Sequence, residues 1–341
     1  MNRRILMFFT LTWFLTACAP QPASSNLTVR LGYFPNMTHA QAVIGIADGT
    51  FARALGDTVK IEPKVFNAGP SVIEAMFAGQ LDLAFIGPNP AINGYVKSNG
   101  EALRIIAGAT SGGAVLVVRS DAGINSAADF KGKKIASPQL GNTQDVALRA
   151  WLIQQGFKLK EQGGDTQVIP AANPDILTLF KKKEIDAAWV PEPWGARLVR
   201  EANGKIFLDE RDLWKDGQFT TACIIVSTKF LKEHPDLVKR FSAAHVELTQ
   251  RINTDPTSAK QTLDKEIERL SGAALPKEIL DDAWSRQMVT YDPIRSSLIG
   301  SAEAAFKLGF LGDKMPNLDN IYDLKLLNEA LIEKGLAPVG R

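Results

Sequence analysis

Five times along the 341-residue chain, a strand-like apolar run ends in a Gly, Pro or Asn turn that opens a helical pattern. The turns lie at 32–36 (Gly-Tyr-Phe-Pro-Asn), 67–71 (Asn-Ala-Gly-Pro-Ser), 86–90 (Ile-Gly-Pro-Asn-Pro), 141–145 (Gly-Asn-Thr-Gln-Asp) and 190–194 (Val-Pro-Glu-Pro-Trp). Strands alternating with helices imply βαβ units and parallel sheets. A helix that starts where a strand stops aims free N–H groups and its positive dipole end at the sheet's carboxyl edge. In open parallel sheets that edge is the ligand crevice. Several such ends facing one cleft bind an anion without a metal or many arginines, so the pattern predicts a binding protein for a small anion.

The first 17 residues carry Arg3 and Arg4, an apolar stretch over 5–15 broken by two threonines, and then Leu15-Thr16-Ala17-Cys18. The stretch is too short to span a bilayer, which takes about 20 residues, but it suits the core of a secretory signal. The small residues before Cys18 resemble the lipobox of bacterial lipoproteins. That resemblance implies cleavage after residue 17 and diacylation of the Cys18 thiol. It places the chain on the extracytoplasmic side of a membrane (the periplasm in a Gram-negative host), held by the lipid alone, with 18–26 as a tether. The alternative is an ordinary cleaved signal ending nearby. The chain has 39 basic and 37 acidic residues; with Arg3 and Arg4 removed the charges balance, which argues against nucleic-acid binding. Cys18 and Cys223 are its cysteines, so lipidation of the first leaves no internal disulfide, acceptable for a chain with a sizeable core.

β signals run at 27–31, 59–66, 83–86, 103–107, 114–118, 134–137, 167–169, 187–190, 205–208 and 221–227. Helical patterns lie between many of them, at 38–51, 70–78, 90–98, 143–155, 174–182 and 194–202. From Thr228 the chain is almost wholly helical. The expected architecture is two α/β lobes: residues 27–113 and 225–341 form lobe one and 114–224 form lobe two. Two chain crossings, near Gly113 and Thr221, would make a hinge with the ligand cleft between the lobes.

The run 69–84 (Gly-Pro-Ser-Val-Ile-Glu-Ala-Met-Phe-Ala-Gly-Gln-Leu-Asp-Leu-Ala) with Gly87-Pro88-Asn89-Pro90 resembles the nitrate, taurine and aliphatic-sulfonate substrate-binding proteins of ABC importers. So do 129–136 (Asp-Phe-Lys-Gly-Lys-Lys-Ile-Ala) and the Glu192-Pro193-Trp194 corner. The segments occur in the same order, and the similarity covers about 27–194, weakening in the helical tail. It implies a type II periplasmic binding-protein fold that closes on its ligand and docks onto permease subunits.

The turns supply the candidate ligand-binding residues, each with a structural reading beside the functional one. At the first, Tyr33, Phe34 and His39 can wall a cleft or simply fill core. Asn67 and Gly69 read as a ligand-facing turn with Pro70 starting a helix. Pro88 and Asn89 repeat the device, with Asn89 as a natural N-cap. Ser111 and Gly112, in the Gly/Ala-rich stretch, fit a hinge close to ligand. Asn142 and Asp145 have the spacing of a capping box, leaving Thr143 and Gln144 to donate to an oxyanion. Trp194 would add an apolar wall. Glu192 could pair with Arg197 or meet the amine of a zwitterion.

No Gly-x-Ser-x-Gly, His-Glu-x-x-His, Walker A or Gly-x-Gly-x-x-Gly pattern occurs, and the three histidines are dispersed. We therefore expect no catalytic residues, metal or cofactor, and a monomer working with a permease. The favoured ligands are an aliphatic sulfonate or taurine-type anion, or a nitrate-type one. A thiamine-type pyrimidine or a phosphonate is the alternative.

Overall fold

The computed structural model describes residues 27–340; the signal, Cys18 and tether readings lie outside the described residues. Eleven strands form two sheets. They are β1 (Leu27–Tyr33), β2 (Val59–Val65), β3 (Leu83–Ile86), β4 (Leu103–Gly112), β5 (Ala114–Arg119), β6 (Lys134–Pro138), β7 (Gln167–Ala171), β8 (Ala187–Pro191), β9 (Gly204–Asp209), β10 (Thr220–Ser227) and β11 (Gln287–Val289). The first sheet has the order β11-β4-β10-β3-β1-β2 and the second β7-β6-β8-β5-β9. The fold is thus mixed α/β, with one sheet in each of two lobes.

The sequence of each strand fits its place. β3, Leu-Ala-Phe-Ile, is buried throughout at the centre of its sheet, as a short unbroken apolar run requires. β2 is an edge, and its exposed Lys60 and half-buried Glu62 and Lys64 keep that edge from pairing further. β10 runs antiparallel to both β3 and β4 because it re-enters the first sheet from the second lobe. Apolar side chains pack on both faces of each sheet, Phe85 and Leu31 on one face of the first and Ile86 and Ile105 on the other.

The chain passes between the lobes from β4 through Gly113 into β5, and back from β9 through turns at 210–217 into β10. Gly112 and Gly113 have φ of +75° and +77°, values that favour glycine. The helical tail covers the first lobe, and its strand β11 pairs with β4 beside the hinge.

Two local expectations change. The pattern at 38–51 is not one helix: it divides into a 3-10 turn (Met37–His39) and helices Ala40–Ala47 and Thr50–Leu55. Gly49 sits at φ +73° and Asp48 Oδ1 accepts from the Thr50 N–H at 2.9 Å, restarting the helix. β11, three residues long, gave no sequence signal, since its pairing is with distant Ser111 and its neighbours.

Candidate functional site

The strand-to-helix turns of both lobes meet at one narrow cavity. The first lobe contributes Phe34, Asn36, Thr38, His39, Asn67 and Gly87, with Thr221 from β10. Asn142, Thr143, Gln144, Asn173 and Pro191 close it from the second lobe. The space left is about 20 Å³, room for about one water-sized molecule, so a ligand headgroup would replace contacts between the lobes. One such contact lies at Gly87, where a side-chain methyl would overlap Thr143 Oγ1 and lie 3.3 Å from its Cβ.

Four helices start around this cavity: Gly69–Phe77, Pro88–Lys97, Thr143–Gln154 and Asn173–Lys181. Their N-caps are Ala68, Gly87, Asn142 and Ala172, and none caps its helix with a side chain. First-turn N–H groups, which have no intrahelical acceptor, are therefore free of N-cap side chains where the helices face the cleft.

Among the described residues, no Asp, Glu, Lys or Arg lines the cavity. His39 is fully buried, and burial lowers its pKa to about 3. The Phe34 N–H donates to His39 Nδ1 at 3.2 Å, so the neutral ring carries its proton on Nε2. The Phe34 ring stacks on it with centroids 4.3 Å apart. Thr143 Oγ1 and Asn173 Oδ1 are buried without a hydrogen-bond partner. A buried hydroxyl without a partner costs about 1–3 kcal/mol, which a bound acceptor would relieve.

The remaining candidates lie elsewhere. Tyr33 is core, packed with Leu31 and Phe85. Gly69 lets Pro90 and Asn142 approach; a Cβ there would lie 3.3 Å from Asn142 Oδ1. Pro88 is a buried first-turn residue of its helix. Asn89 is not the N-cap: Gly87 is, and Asn89 Nδ2 donates to the Ser301 carbonyl at 3.1 Å. Ser111 and Gly112 are hinge residues: Ser111 Oγ accepts from the Phe219 N–H at 3.2 Å, and the Gly112 carbonyl accepts from Thr221 Oγ1. Trp194 stands outside the inner cavity, in a vestibule of about 370 Å³ with Phe66, Leu270 and Leu275. Its Nε1 donates across the cleft to Asn36 Oδ1 at 3.1 Å.

The capping box at 142–145 does not form. Asp145 instead accepts from Ser137 Oγ (2.7 Å), the Gly141 N–H (2.9 Å) and Arg149 Nε (2.9 Å). Glu192 pairs with neither Arg197 nor the cavity. Its Oε1 accepts from Arg286 Nη1 at 2.8 Å and its Oε2 from the Ala196 N–H at 2.9 Å; burial still raises its pKa despite the arginine. Arg197 pairs with Glu201 at 2.7 Å and lies over the Trp194 ring.

Asn36, Thr38, Gly87, Asn173, Pro191 and Thr221 were absent from the sequence candidates. Asn173 had a signal, since β7 and the helix opening at Asn173-Pro174 repeat the strand-to-turn pattern. Thr221 lies within a strand and had none. Among the described residues there is no metal-binding group of three or more His, Cys, Asp or Glu, and no helix long and apolar enough to cross a membrane.

The taurine-binding periplasmic protein of Escherichia coli strain K12 is 27% identical over 267 residues, 77% of this chain and 78% of that one. A Brucella abortus binding protein is 29% identical over 291 residues, 82% and 86% of the two chains. Among solved structures, the alkanesulfonate-binding protein SsuA of Xanthomonas axonopodis pv. citri, bound to MOPS, superposes with a TM-score of 0.71 at 18% identity, over 85% of this chain and 96% of that one. The periplasmic nitrate-binding protein NrtA of Synechocystis gives 0.71 at 18% identity, over 90% and 88%. These neighbours share the two-lobed periplasmic binding-protein fold. The NMT1-like family model matches residues 23–265, and the chain belongs to the NMT1-like family.

Proposed function

We propose that this chain is the extracytoplasmic substrate-binding component of an ABC importer for a small oxyanion, of the sulfonate, taurine or nitrate type. The observation that carries the reading is the cavity itself: helix starts from both lobes, neutral donors, no carboxylate in the lining, and the partnerless Thr143 hydroxyl. Neutral donors aimed into a narrow, polar site hold an anion through hydrogen bonds and helix dipoles. The vestibule with Trp194 serves as the way in. Closure on the ligand presents a joined surface to the permease, since a ligand that binds the closed state more tightly shifts the lobes toward it. Binding with no chemical step belongs to the same reading, since the relatives are substrate-binding proteins. Cys18 as lipid anchor, a monomeric state and a lobe limit at 113/114 belong to the same reading; the expected return at 224/225 falls inside β10, a strand of the first sheet from Thr220 on.

A thermal-shift screen against taurine, alkanesulfonates, nitrate, bicarbonate, phosphonates and a thiamine-type pyrimidine tests it. A ligand at 100 times its Kd adds about 2.7 kcal/mol of stability. Stabilisation by one oxyanion class is the expected result. Stabilisation by the pyrimidine alone would overturn the reading and leave the helix starts as architecture.

A further inference from the structure

A second space lies between the lobes and shares Thr143 with the inner cavity. Its volume is about 180 Å³, slightly more than a cavity that holds benzene. Helix Thr143–Gln154 lines it with Val146, Ala147, Ala150 and Trp151, and helix Arg295–Lys307 faces it with Gly300, Ser301 and Ala304. Small residues on both helices keep the space open. Gly300 also admits the Trp214 ring, which would lie 3.0 Å from a Cβ there.

One carboxyl group reaches this chamber, where Trp151, Trp214 and Leu213 stand beside the polar Asn89, Gln154 and Thr220. Glu210 is 2% exposed. Its Oε2 accepts from Trp189 Nε1 at 2.8 Å and its Oε1 from Trp214 Nε1 at 3.4 Å. Each oxygen keeps further acceptor capacity, and no Lys, Arg or His forms an ion pair with it among the described residues. Burial raises its pKa to about 7 against the pull of the two indoles. A buried carboxyl without a counter-ion, beside two tryptophan rings, has the chemistry that recognises an organic ammonium.

We propose that this chamber binds a small apolar ammonium group of benzylamine size, with Glu210 as its counter-ion. The walls come from both lobes, so the chamber is complete only when they are closed, and its occupant favours closure together with the oxyanion. The ammonium belongs either to a separate amine or to the amino end of the bound oxyanion; the second source rests on the oxyanion reading above, the first does not.

Calorimetric titration of the purified protein at pH 8 separates these sources. The probes are benzylamine against benzyl alcohol, and 3-aminopropanesulfonate against propanesulfonate, on wild type, Glu210→Gln and the chamber-filling Ala150→Leu. Benzylamine binding at least tenfold tighter than benzyl alcohol, and lost in both variants, supports a separate amine. A tenfold preference for the aminosulfonate that both variants abolish, without benzylamine binding, supports the linked ligand. The proposal is overturned if no amine probe is preferred over its neutral counterpart, or if both variants bind within twofold of wild type. Tryptophan fluorescence of the unaltered protein with the same probes gives a readout that needs no variant to fold. If benzylamine binds but nitrate and the sulfonates do not, the oxyanion reading fails and this one stands.

Discussion

Gly87→Ala tests the cleft most directly. Gly87 has φ −73° and ψ 156°, which alanine adopts freely, so the ligand-free protein should lose little stability beyond the small change at an N-cap. The added methyl would overlap Thr143 Oγ1, lie 3.3 Å from Thr143 Cβ and 3.6 Å from the Thr221 carbonyl oxygen. Reaching ordinary contact means parting the lobes by about 1 Å at that point, or placing the methyl where a headgroup must sit. Overpacking of this kind costs about 1–3 kcal/mol. It falls on the closed, bound state, so the Kd should rise about 5- to 150-fold. Calorimetry with the oxyanion found in the screen reads the affinity, and a ligand-free melt reads the fold. In the double variant with Thr143→Ala the losses should be less than additive, because the overlapping atom is gone. Wild-type affinity in Gly87→Ala would refute closure of Thr143 onto this turn. A melt lowered as much as binding is weakened would place the effect in the fold instead.

Thr143→Ala should leave the ligand-free melt unchanged or raise it, since Oγ1 is buried with no protein partner, and should weaken oxyanion binding by about 1.5–3 kcal/mol, the range for a hydrogen bond to a charged group; titration checks it. Glu192→Ala should lower stability by about 1–3 kcal/mol, because it removes the carboxylate that accepts from the half-buried Arg286 and from the Ala196 N–H, seen as a lowered melting temperature. His39 stays neutral and so gives oxyanion binding no pH dependence between pH 8 and 5; a tenfold gain on acidification that persists in Glu210→Gln, which removes the other group titrating in that range, would reveal an imidazolium in the site. Burial lowers His39 to about 3 and His245 to about 4. Their folded values lie below the unfolded 6.5, so the stability they contribute is complete above about pH 6.5 and is lost as pH falls toward those values. Glu210, raised to about 7, acts oppositely, adding stability as pH falls from 7 toward its unfolded 4.5. His39→Gln should therefore shift acid unfolding to lower pH in a denaturant titration.

Local signals carried the fold a long way. Each turn at the end of a strand is written in adjacent residues, and those turns brought Phe34, His39, Asn67 and Asn142–Gln144 to one cavity. Where a partner lies far along the chain, the local pattern pointed wrongly. Glu192 has Arg197 five residues away, yet it pairs with Arg286, 94 residues on, because the tail folds back beside the hinge. Asp145 has capping-box spacing, but Ser137 and Arg149 hold its side chain on the other side of the turn. Thr221 reaches the cavity only because β10 returns to the first sheet, and Glu210 meets Trp189 only once the second sheet is assembled.

Two carboxylates beside the strand-to-helix turns, Asp145 and Glu192, show how the proposed oxyanion site tolerates such neighbours. Asp145 is fully buried and accepts the Gly141 N–H, the Ser137 hydroxyl and Arg149, which fixes the turn entering helix Thr143–Gln154. Glu192 accepts the Ala196 N–H and Arg286, which fixes the corner where β8 ends, while its own N–H donates to the Gly113 carbonyl at the chain crossing. Both negative charges are thus matched by a guanidinium and backbone donors away from the cavity, and what they set is the direction of the helix starts. The ligand then meets neutral donors in fixed positions. Because these donors are ordered before binding, closing the cleft costs less side-chain entropy than gathering long cationic side chains around the anion. Selectivity in such a site rests on size and acceptor geometry, so widening it should relax selectivity before it abolishes binding: Asn173→Ala is expected to lower the preference among oxyanions of different size more than the affinity for the smallest, measured by competition titration, and an unchanged order of preference would refute the point.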